Sequence, residues 1–476
     1  MGNKKDKAKI HFIGNSSEQV TGSSYLCTFK DEVTMVDCGF VQTASKIKQW
    51  QLNNANYKFK VKEVDNIILT HFGHLDHQGG LPRLYANGCR AKIFASKGAR
   101  QYLAVAFADG YKIQVADAEL LSKQNGRQFK LGYTEDDIEN CLNHIVECEP
   151  NKIISIGKYT SFRFSSAYHI VQSNQVELFF NDKNYKRTAY FSGDLGNTNI
   201  DKPFLEPFKP IKKFDVAVVE TTYAMNPKSV GEKDRAKDRE KLQSVIRQTC
   251  FENKGKVIIA SFSMMRLQEL MYELYQMYHE DENFKTDIVI DTPLGIKICD
   301  MFSDLIPEKD YELWYNIVNW DRFIFVKDWK DSESAVKSIK PSICIASSGF
   351  CQGGRILDYI QHSLGDERNT FVFVGYSSAD SLAGIIKEGK KKLVEVNGIQ
   401  VKNKANVVNL LSFSSHIQHK QMLELYSDFN CKEIYLVHGE KERQYPFAEL
   451  LSGEYAKVGK TTKVFVPNIN DEIVIN

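Results

Sequence analysis

The stretch LTHFGHLDHQGGLP, residues 69–82, places His71, His74, Asp76 and His77 within seven residues. The stretch begins at the end of the apolar run VDNIILT, residues 64–70, which predicts a buried strand. A loop leaving the end of a strand can aim several side chains at one point, and zinc accepts imidazole and carboxylate ligands. Three of the 11 histidines of the chain fall together here, which favours a metal site over a solvated polar loop.

Further candidate ligands stand where other apolar strands end. His169 follows FRFSSAY, Asp194 follows YFSG, and His438 follows EIYLV. Taken singly, an aspartate after glycine is more often a turn residue, and either histidine is more often structural. Only their joint occurrence points to a metal site.

Composition bounds the class of protein. With 476 residues, 42% of them hydrophobic, the chain can form two domains with ordinary cores. Its formal charge of +2 neither demands nor excludes a nucleic-acid partner. Neither an apolar run of about 18 residues nor a signal-peptide pattern is present, so we expect no membrane partner and no secretion. The 10 cysteines lack CxxC spacing, which favours reduced thiols in a cytoplasmic protein, or a nuclear one in a eukaryote.

The texture of the sequence changes twice along the chain. Residues 1–224 are rich in short strands such as KIHFIG and EVTMVDC. In residues 225–390, long helical patterns alternate with apolar strands such as KVIIASF and TFVFVGY, which is typical of a parallel α/β sheet. Strand patterns return in residues 391–476. We therefore predict that the middle segment is a domain inserted into another domain.

These motifs, taken in order, resemble those of the metallo-β-lactamase superfamily, in its β-CASP branch of RNA-processing nucleases. That branch contains bacterial and archaeal ribonucleases and the eukaryotic pre-mRNA 3′-end endonuclease. The motifs that carry the resemblance are Asp37 in MVDCG, HFGHLDH, His169, Asp194 in SGDLG, Glu220 in VETTY, His416 in SFSSH and His438 in VHGE. Further markers are GNSSEQVTGSSYL, SFSMMRLQEL, DTP, SSGFCQGGR and GYSSADSLAG.

The resemblance implies an α/β fold, namely a metallo-β-lactamase αββα sandwich with an inserted β-CASP α/β domain. It also implies two Zn²⁺ ions. The first would be held by His71, His74 and His169. The second would be held by Asp76, His77 and His438, and Asp194 would bridge the two. Asp37 would orient a ligand histidine or its loop without touching metal. Asp76 would also take part in catalysis.

The first histidine pair departs from the family spacing. The family has HxHxDH, whereas this chain has HFGH at residues 71–74, one residue more. In one interpretation Gly73 allows the turn to bulge, so that His71 still reaches the metal. In the other, His71 points elsewhere and the first zinc site is weakened, which would leave a slow or inactive enzyme.

The remaining motifs concern the leaving group and the substrate. His416, near Glu220, would be a cationic general acid, because a carboxylate favours the protonated imidazole. The alternative for His416 is a capping or surface histidine. Ser348, Gly349 and Arg355 resemble a phosphate cradle at a helix start, where free N–H groups favour an anion.

Together these features predict a zinc-dependent nuclease that hydrolyses phosphodiester bonds of single-stranded RNA and leaves a 5′-phosphate and a 3′-hydroxyl. A homodimer or an RNA-processing complex stays open. The first alternative is a catalytically impaired β-CASP subunit that binds RNA or a complex, suggested by the extra residue in HFGHLDH. The second is a DNA nuclease or small phosphodiester hydrolase on the same scaffold.

Overall fold

The computed structural model describes residues 7–43, 45–226, 230–375 and 381–476. Its contacts divide the chain into two compact units. The first unit comprises residues 1–198, 205–229 and 416–476, and the second comprises residues 199–204 and 230–415. The second unit is thus inserted in the sequence of the first, as the change of texture predicts.

The strands alternate with helices along most of the chain. Those of the described residues are β1 (Lys9–Phe12), β2 (Tyr25–Phe29), β3 (Glu32–Val36), β4 (Asn66–Ile68), β5 (Lys92–Ser96), β6 (Ile145–Cys148), β7 (Ile153–Ser155), β8 (Thr160–Ser166), β9 (Asn174–Asp182), β10 (Tyr185–Phe191), β11 (Val216–Glu220), β12 (Lys256–Ala260), β13 (Asp287–Asp291), β14 (Phe323–Phe325), β15 (Ser342–Ala346), β16 (Thr370–Val374), β17 (Leu393–Val396), β18 (Ile399–Lys402), β19 (Asn406–Leu410), β20 (Glu433–Val437), β21 (Lys463–Phe465) and β22 (Glu472–Val474).

The α-helices differ widely in length, and the longest lies in the first unit. Those of the described residues are α1 (Lys46–Asn53), α2 (Leu75–Gln78), α3 (Leu81–Ala86), α4 (Ala99–Asn125), α5 (Glu135–Asn143), α6 (Glu232–Ile246), α7 (Arg266–Tyr278), α8 (Pro293–Met301), α9 (Tyr311–Val318), α10 (Trp329–Lys337), α11 (Ile356–Ser363), α12 (Leu382–Glu388), α13 (His419–Ser427) and α14 (Lys441–Lys457).

Two sheets form the centre of the first unit. Among the described residues they have seven strands each, in the orders β22-β1-β2-β3-β4-β5-β6 and β21-β20-β11-β10-β9-β8-β7. One apolar core joins them, with Phe12 and Ile68 from the first sheet and Phe162 and Val218 from the second. A second core packs β10, β11 and β20 against α13 and α14. The predicted αββα sandwich is confirmed.

The second unit is built around a parallel sheet. Its strand order is β14-β13-β15-β12-β16-β19 in the described residues, and every pairing in it is parallel. Strands β12, β13, β15 and β16 are almost entirely buried, as expected of a parallel sheet covered on both faces. A separate hairpin pairs β17 with β18.

The second unit extends beyond the boundary that the sequence suggests. The sequence pattern predicts that the inserted domain ends at residue 390, whereas the compact second unit of the structure extends to Ser415. The reason is that β19 pairs in parallel with β16, and the hairpin strands β17 and β18 contribute Val394 and Val401 to the core of this unit. The short segment 199–204 also belongs to the second unit, which the sequence did not indicate.

Three further findings concern the cysteines, membrane-crossing helices and one of the quoted motifs. All 10 cysteines are free thiols. Within the described ranges, no helix combines the length and the apolar character that a membrane crossing requires. Residues 376–380 of the GYSSADSLAG motif lie outside the described residues.

Candidate metal centre

The candidate ligands lie at the ends of parallel strands in the first unit. Asp37 follows β3 directly, and His71 comes three residues after β4, its parallel neighbour. In the second sheet, Asp194 follows β10, Glu220 ends β11 and His438 follows β20. The carboxyl ends of parallel strands meet at one edge of a sheet, which brings residues distant in sequence together.

Backbone hydrogen bonds fix the short helix α2, which carries Asp76 and His77. The N–H of Cys38 donates to the carbonyl of His77 at 2.8 Å, and the N–H of Ser23 donates to that of Asp76 at 2.8 Å. A Cβ on Gly39 would lie 1.8 Å from the Asp76 carbonyl oxygen, so this close approach requires glycine.

The structure brings His71, His74, His169 and Asp194 within reach of one ion. Nε2 of His71 lies 3.1 Å from Nδ1 of His74. Oδ2 of Asp194 is 3.5 Å from Nε2 of His169 and 4.0 Å from Nε2 of His71. These four donors form the first candidate metal site.

A second group comprises Asp76, His77 and His438. Nε2 of His438 lies 3.3 Å from Oδ2 of Asp76. The second oxygen of Asp194, Oδ1, is 3.2 Å from Nε2 of His77 and 3.5 Å from Nε2 of His438. Asp194 therefore presents one oxygen to each group, which is the arrangement expected of a bridging carboxylate.

Several buried polar atoms of this cluster have no hydrogen-bond partner among the described residues. They are Nε2 of His77, both ring nitrogens of His169 and Oδ1 of Asp194. Each buried polar atom without a partner lowers the stability of the folded state by about 1–3 kcal/mol. The cluster therefore destabilises the protein unless a ligand binds these atoms. Imidazole nitrogens and carboxylate oxygens are donors that zinc prefers, and the residues present therefore fit a metal ion.

The protonation states suit metal binding at His71, His74 and Asp76 but not at His77. Burial lowers the pKa of His74 to about 4 and holds the pKa of His71 well below its usual range. Although burial opposes ionisation, His77 and His438 lower the pKa of Asp76 to about 2. Although burial opposes protonation, Asp194 and Asp37 raise the pKa of His77 well above its usual range. A metal bound at His77 would therefore displace a proton.

The extra residue between the first two histidines is accommodated in the core. Phe72 is 1% exposed, and its ring packs 5.3 Å from that of Tyr102. The Tyr102 hydroxyl donates to the carbonyl of Gly73 at 2.9 Å. Tyr102 thus packs against the Phe72 ring and donates a hydrogen bond to the Gly73 carbonyl. The His71 ring nevertheless lies next to that of His74. The structure agrees with the bulge interpretation.

Deletion of Gly73 tests this arrangement. Because His71 already joins the first group, restoring the common spacing should raise neither the metal content nor the cleavage rate, and displacement of Phe72 should lower both. Elemental analysis of zinc-loaded wild-type and deleted proteins measures the first quantity. A large gain in metal and rate on deletion would show that the natural site is defective.

Hydroxyl groups that the sequence analysis missed orient the ligands. The backbone N–H and the hydroxyl of Thr70 both donate to Asp37 at 2.8 Å, and Asp37 accepts from Nδ1 of His77 at 2.8 Å. The Thr222 hydroxyl lies 3.0 Å from Nδ1 of His438. Asp37 thus accepts from the ring of a candidate ligand, and its role in orienting that ligand stays a prediction. Both threonines stand inside quoted motifs, LTHFGH and VETTY, which was the available signal.

His416 and Glu220 form a pair beside the first group. Nδ1 of His416 lies 3.1 and 3.2 Å from the two oxygens of Glu220. Glu220 is itself fixed by the Leu195 N–H, which donates to it at 2.6 Å. The ring of His416 is 4.5 Å from that of His169, and 19% of its side chain is exposed against 1% for Glu220. Asp194, Glu220 and His416 could also hold an ion, so a ligand role for His416 needs a test.

The predicted phosphate cradle lies in the second unit, at the start of α11. The N–H of Ile356 donates to the carbonyl of Ser347 at 2.8 Å, and the N–H of Leu357 donates to that of Gly354 at 3.3 Å. These two N–H groups of the helix start are therefore not free.

Arg355 itself faces a buried carboxylate. Its Nε lies 3.6 Å from Oδ1 of Asp291, and its guanidinium group lies 4.7 Å from the centre of the Trp329 ring. Burial raises the pKa of Asp291. A phosphate role for Ser348, Gly349 and Arg355 stays a prediction.

Models of three protein families match successive parts of the chain. They are the metallo-beta-lactamase superfamily at residues 18–91, the Beta-Casp domain at residues 267–386, and the Zn-dependent metallo-hydrolase RNA specificity domain at residues 400–467.

Known proteins resemble almost the whole chain. Ribonuclease TTHA0252 of Thermus thermophilus is 28% identical, over 92% of this chain and 94% of its own. Transcription termination factor FttA of Methanocaldococcus jannaschii is 24% identical over 94% of this chain and 69% of its own, and Integrator complex subunit 11 of Danio rerio is 23% identical over 97% and 75%.

A protein of unknown function from Enterococcus faecalis, known from its crystal structure, matches 98% of this chain and 100% of its own with a TM-score of 0.51 at 12% identity. This match supports the fold alone. Models of these three domains match in this order along one chain, so the chain resembles the β-CASP branch of the metallo-β-lactamase superfamily.

Proposed function

We propose that this protein is a zinc-dependent ribonuclease that hydrolyses phosphodiester bonds of single-stranded RNA and leaves a 5′-phosphate and a 3′-hydroxyl. One observation carries the proposal: Asp194 presents its two oxygens to two separate groups of histidines, and the His416–Glu220 pair lies beside them. Two metal positions next to an acid–base pair suit the displacement of an alcohol from a phosphodiester.

The chain offers ligands for two ions. His71, His74 and His169 would hold one, and a second set comprising Asp76, His77 and His438 would hold the other, with Asp194 between them. When bound, two zinc ions lower the pKa of water towards about 7 and neutralise charge on the phosphoryl oxygens.

Glu220 and His416 would act on the leaving group. Glu220 engages Nδ1 of His416, which leaves the other ring nitrogen, Nε2, to carry a proton towards the substrate. A water molecule that has given up one proton to solvent would attack phosphorus opposite the ribose 3′-oxygen, the bond from phosphorus to that oxygen would break, and Nε2 of His416 would protonate the oxygen. The products are a 3′-hydroxyl and a 5′-phosphate.

Three resemblances support RNA as the substrate. One relative is named a ribonuclease, another is named a transcription termination factor, and the family model at residues 400–467 is described as an RNA specificity domain. A further relative is named as a subunit of a complex, which supports membership of an RNA-processing complex.

Ser348, Gly349 and Arg355 are proposed to contact substrate phosphate. Ser348 would use its hydroxyl and Arg355 its guanidinium group.

The first alternative, an impaired subunit that binds RNA without cutting it, rested on the spacing of HFGH. The position of His71 within 3.1 Å of His74 weighs against that alternative, because the first group has all its donors. The second alternative, a nuclease for DNA or a hydrolase of small phosphodiesters, concerns the substrate alone.

The test compares matched oligonucleotides. The protein, stripped of metal and reloaded with zinc, is mixed with a single-stranded RNA, the DNA of the same sequence and bis(p-nitrophenyl) phosphate. We expect cleavage of the RNA in preference to the other two, loss of cleavage after chelation, and product masses of a 5′-phosphate and a 3′-hydroxyl. Preferred cleavage of DNA or the small ester would select the second alternative. RNA binding without cleavage at full zinc loading would select the first.

A further inference from the structure

A short segment at the end of the second unit leads into His416. Residues 411–415, LSFSS, are the last residues of that unit, and Ser415 is joined by a peptide bond to His416. We call this stretch the 411–415 segment. Contacts that fix the backbone of the 411–415 segment therefore also fix the position of the backbone nitrogen of His416.

Two buried cations hold the end of the 411–415 segment. Nζ of Lys202 donates to the carbonyl oxygen of Ser415 at 2.9 Å, and that oxygen belongs to the peptide group that joins Ser415 to His416. Nη2 of Arg266 donates to the Ser415 hydroxyl at 2.9 Å. Lys202 is 5% exposed and Arg266 is 7% exposed. Charged groups so deeply buried are rare, because removing them from water costs several kcal/mol.

A buried carboxylate balances these cations. Glu269 is 1% exposed and forms an ion pair with Nη1 of Arg266. Although burial opposes ionisation, Arg266, Arg235 and Lys202 lower the pKa of Glu269. Glu269 is therefore an anion that pairs with Arg266 and is attracted by Lys202.

The beginning of the 411–415 segment is held in the same way. Asp238 accepts from the N–H of Ser412 at 2.8 Å and from its hydroxyl at 2.7 Å, and Nη1 of Arg235 donates to the Ser412 carbonyl at 3.2 Å. The guanidinium group of Arg235 also lies 3.8 Å from the centre of the Phe413 ring. Charge-assisted hydrogen bonds thus reach both ends of a five-residue segment that lies in neither a strand nor an α-helix.

We propose that Lys202 and Arg266 are positioning residues for His416, holding the Ser415 peptide so that the imidazole stands where proton transfer to the leaving oxygen requires it. This inference rests on the proposed function, because the geometry of His416 matters to rate only if that residue acts in the reaction. A displacement of about 1 Å in a reacting group can slow a reaction about 100-fold.

The test uses Lys202→Met, which keeps the length of the side chain and removes its donor, and Ser415→Ala, which removes the hydroxyl that Arg266 contacts. The second variant serves if the first does not fold. Lys241→Met is the matched control, because Lys241 is an exposed lysine of the same unit whose Nζ donates to the Asn409 carbonyl at 3.3 Å.

With RNA, we expect Lys202→Met to lower kcat on the order of 10²-fold with KM little changed. The loss should be much smaller on RNA whose 3′-leaving oxygen is replaced by sulfur, because sulfur departs without a proton. Combining Lys202→Met with His416→Ala should be no slower than His416→Ala alone. Equal slowing of both substrates, or additive losses in the double variant, would overturn the proposal and assign Lys202 a general structural role.

A second measurement does not depend on activity. Ring resonances of His416 in protein labelled with ¹⁵N-histidine, assigned by their absence in His416→Ala, should shift in Lys202→Met and Ser415→Ala and stay in place in Lys241→Met. Unchanged resonances in both variants would overturn the proposal. If the wild-type protein cleaves neither substrate, the proposed function fails, and these resonances still decide whether Lys202 and Ser415 position His416.

Discussion

Replacement of His416 by alanine should slow RNA cleavage by a factor on the order of 10² to 10⁴ while both metal sites stay filled. The reason is that an expelled ribose 3′-oxygen is a poor leaving group as an alkoxide, and Glu220 holds His416 with one ring nitrogen free to protonate it. Single-turnover cleavage, metal content and RNA affinity are measured on the same preparation. His362→Ala is the matched control, since His362 is an exposed histidine whose Nδ1 donates to the Asp358 carbonyl.

The leaving group separates a general acid from a ligand. The loss in His416→Ala should shrink on RNA with a sulfur leaving group, because that substrate needs no proton at this step. Loss of one metal ion, by contrast, would show that His416 is a ligand together with Asp194 and Glu220, which lie within reach of a common ion. Equal slowing of both substrates with full metal content would make His416 a structural residue.

Asp194→Asn should have the largest effect on the metals themselves. The carboxylate lies 3.2 Å from Nε2 of His77 and 3.5 Å from Nε2 of both His169 and His438, so the substitution removes a negative charge from between the two candidate metal sites. Losing a group that merely orients a ligand costs about 10- to 100-fold in metal affinity, and losing a shared ligand should cost more.

Competition with a chromophoric chelator measures the zinc affinity of Asp194→Asn, and the matched control is Asp428→Asn. Asp428 is a half-exposed carboxylate of the same unit that pairs with Lys212 on the surface. The control should retain its zinc and its activity. Two zinc ions bound with wild-type affinity in Asp194→Asn, with full cleavage, would remove Asp194 from the centre.

The sequence predicted the fold well because the patterns that specify it are local. Apolar runs such as VDNIILT and EIYLV became β4 and β20, and a candidate ligand stands within three residues of the end of each strand. That His438 meets Asp76 across 362 positions of sequence could not be read from periodicity. It followed from the family resemblance, and the structure brings the two side chains together.

The features that the sequence did not indicate have a common physical cause, namely pairing between distant segments. Strand β19 carries the same kind of apolar pattern as strands of the first unit, and only its hydrogen bonds to β16 assign it to the second. Likewise Arg235 stands in the charged run EKDRAKDREKL, typical of a solvated helix, yet it is 3% exposed because Glu273 and Phe413 cover it.

Anomalous scattering at the zinc absorption edge, recorded from crystals of the zinc-loaded protein, would locate the metal ions themselves. We expect two peaks per chain, one bounded by His71, His74 and His169 and the other bounded by Asp76, His77 and His438, with Asp194 between them. A single peak, peaks at other residues, or none at full zinc loading would contradict a two-metal centre at this site.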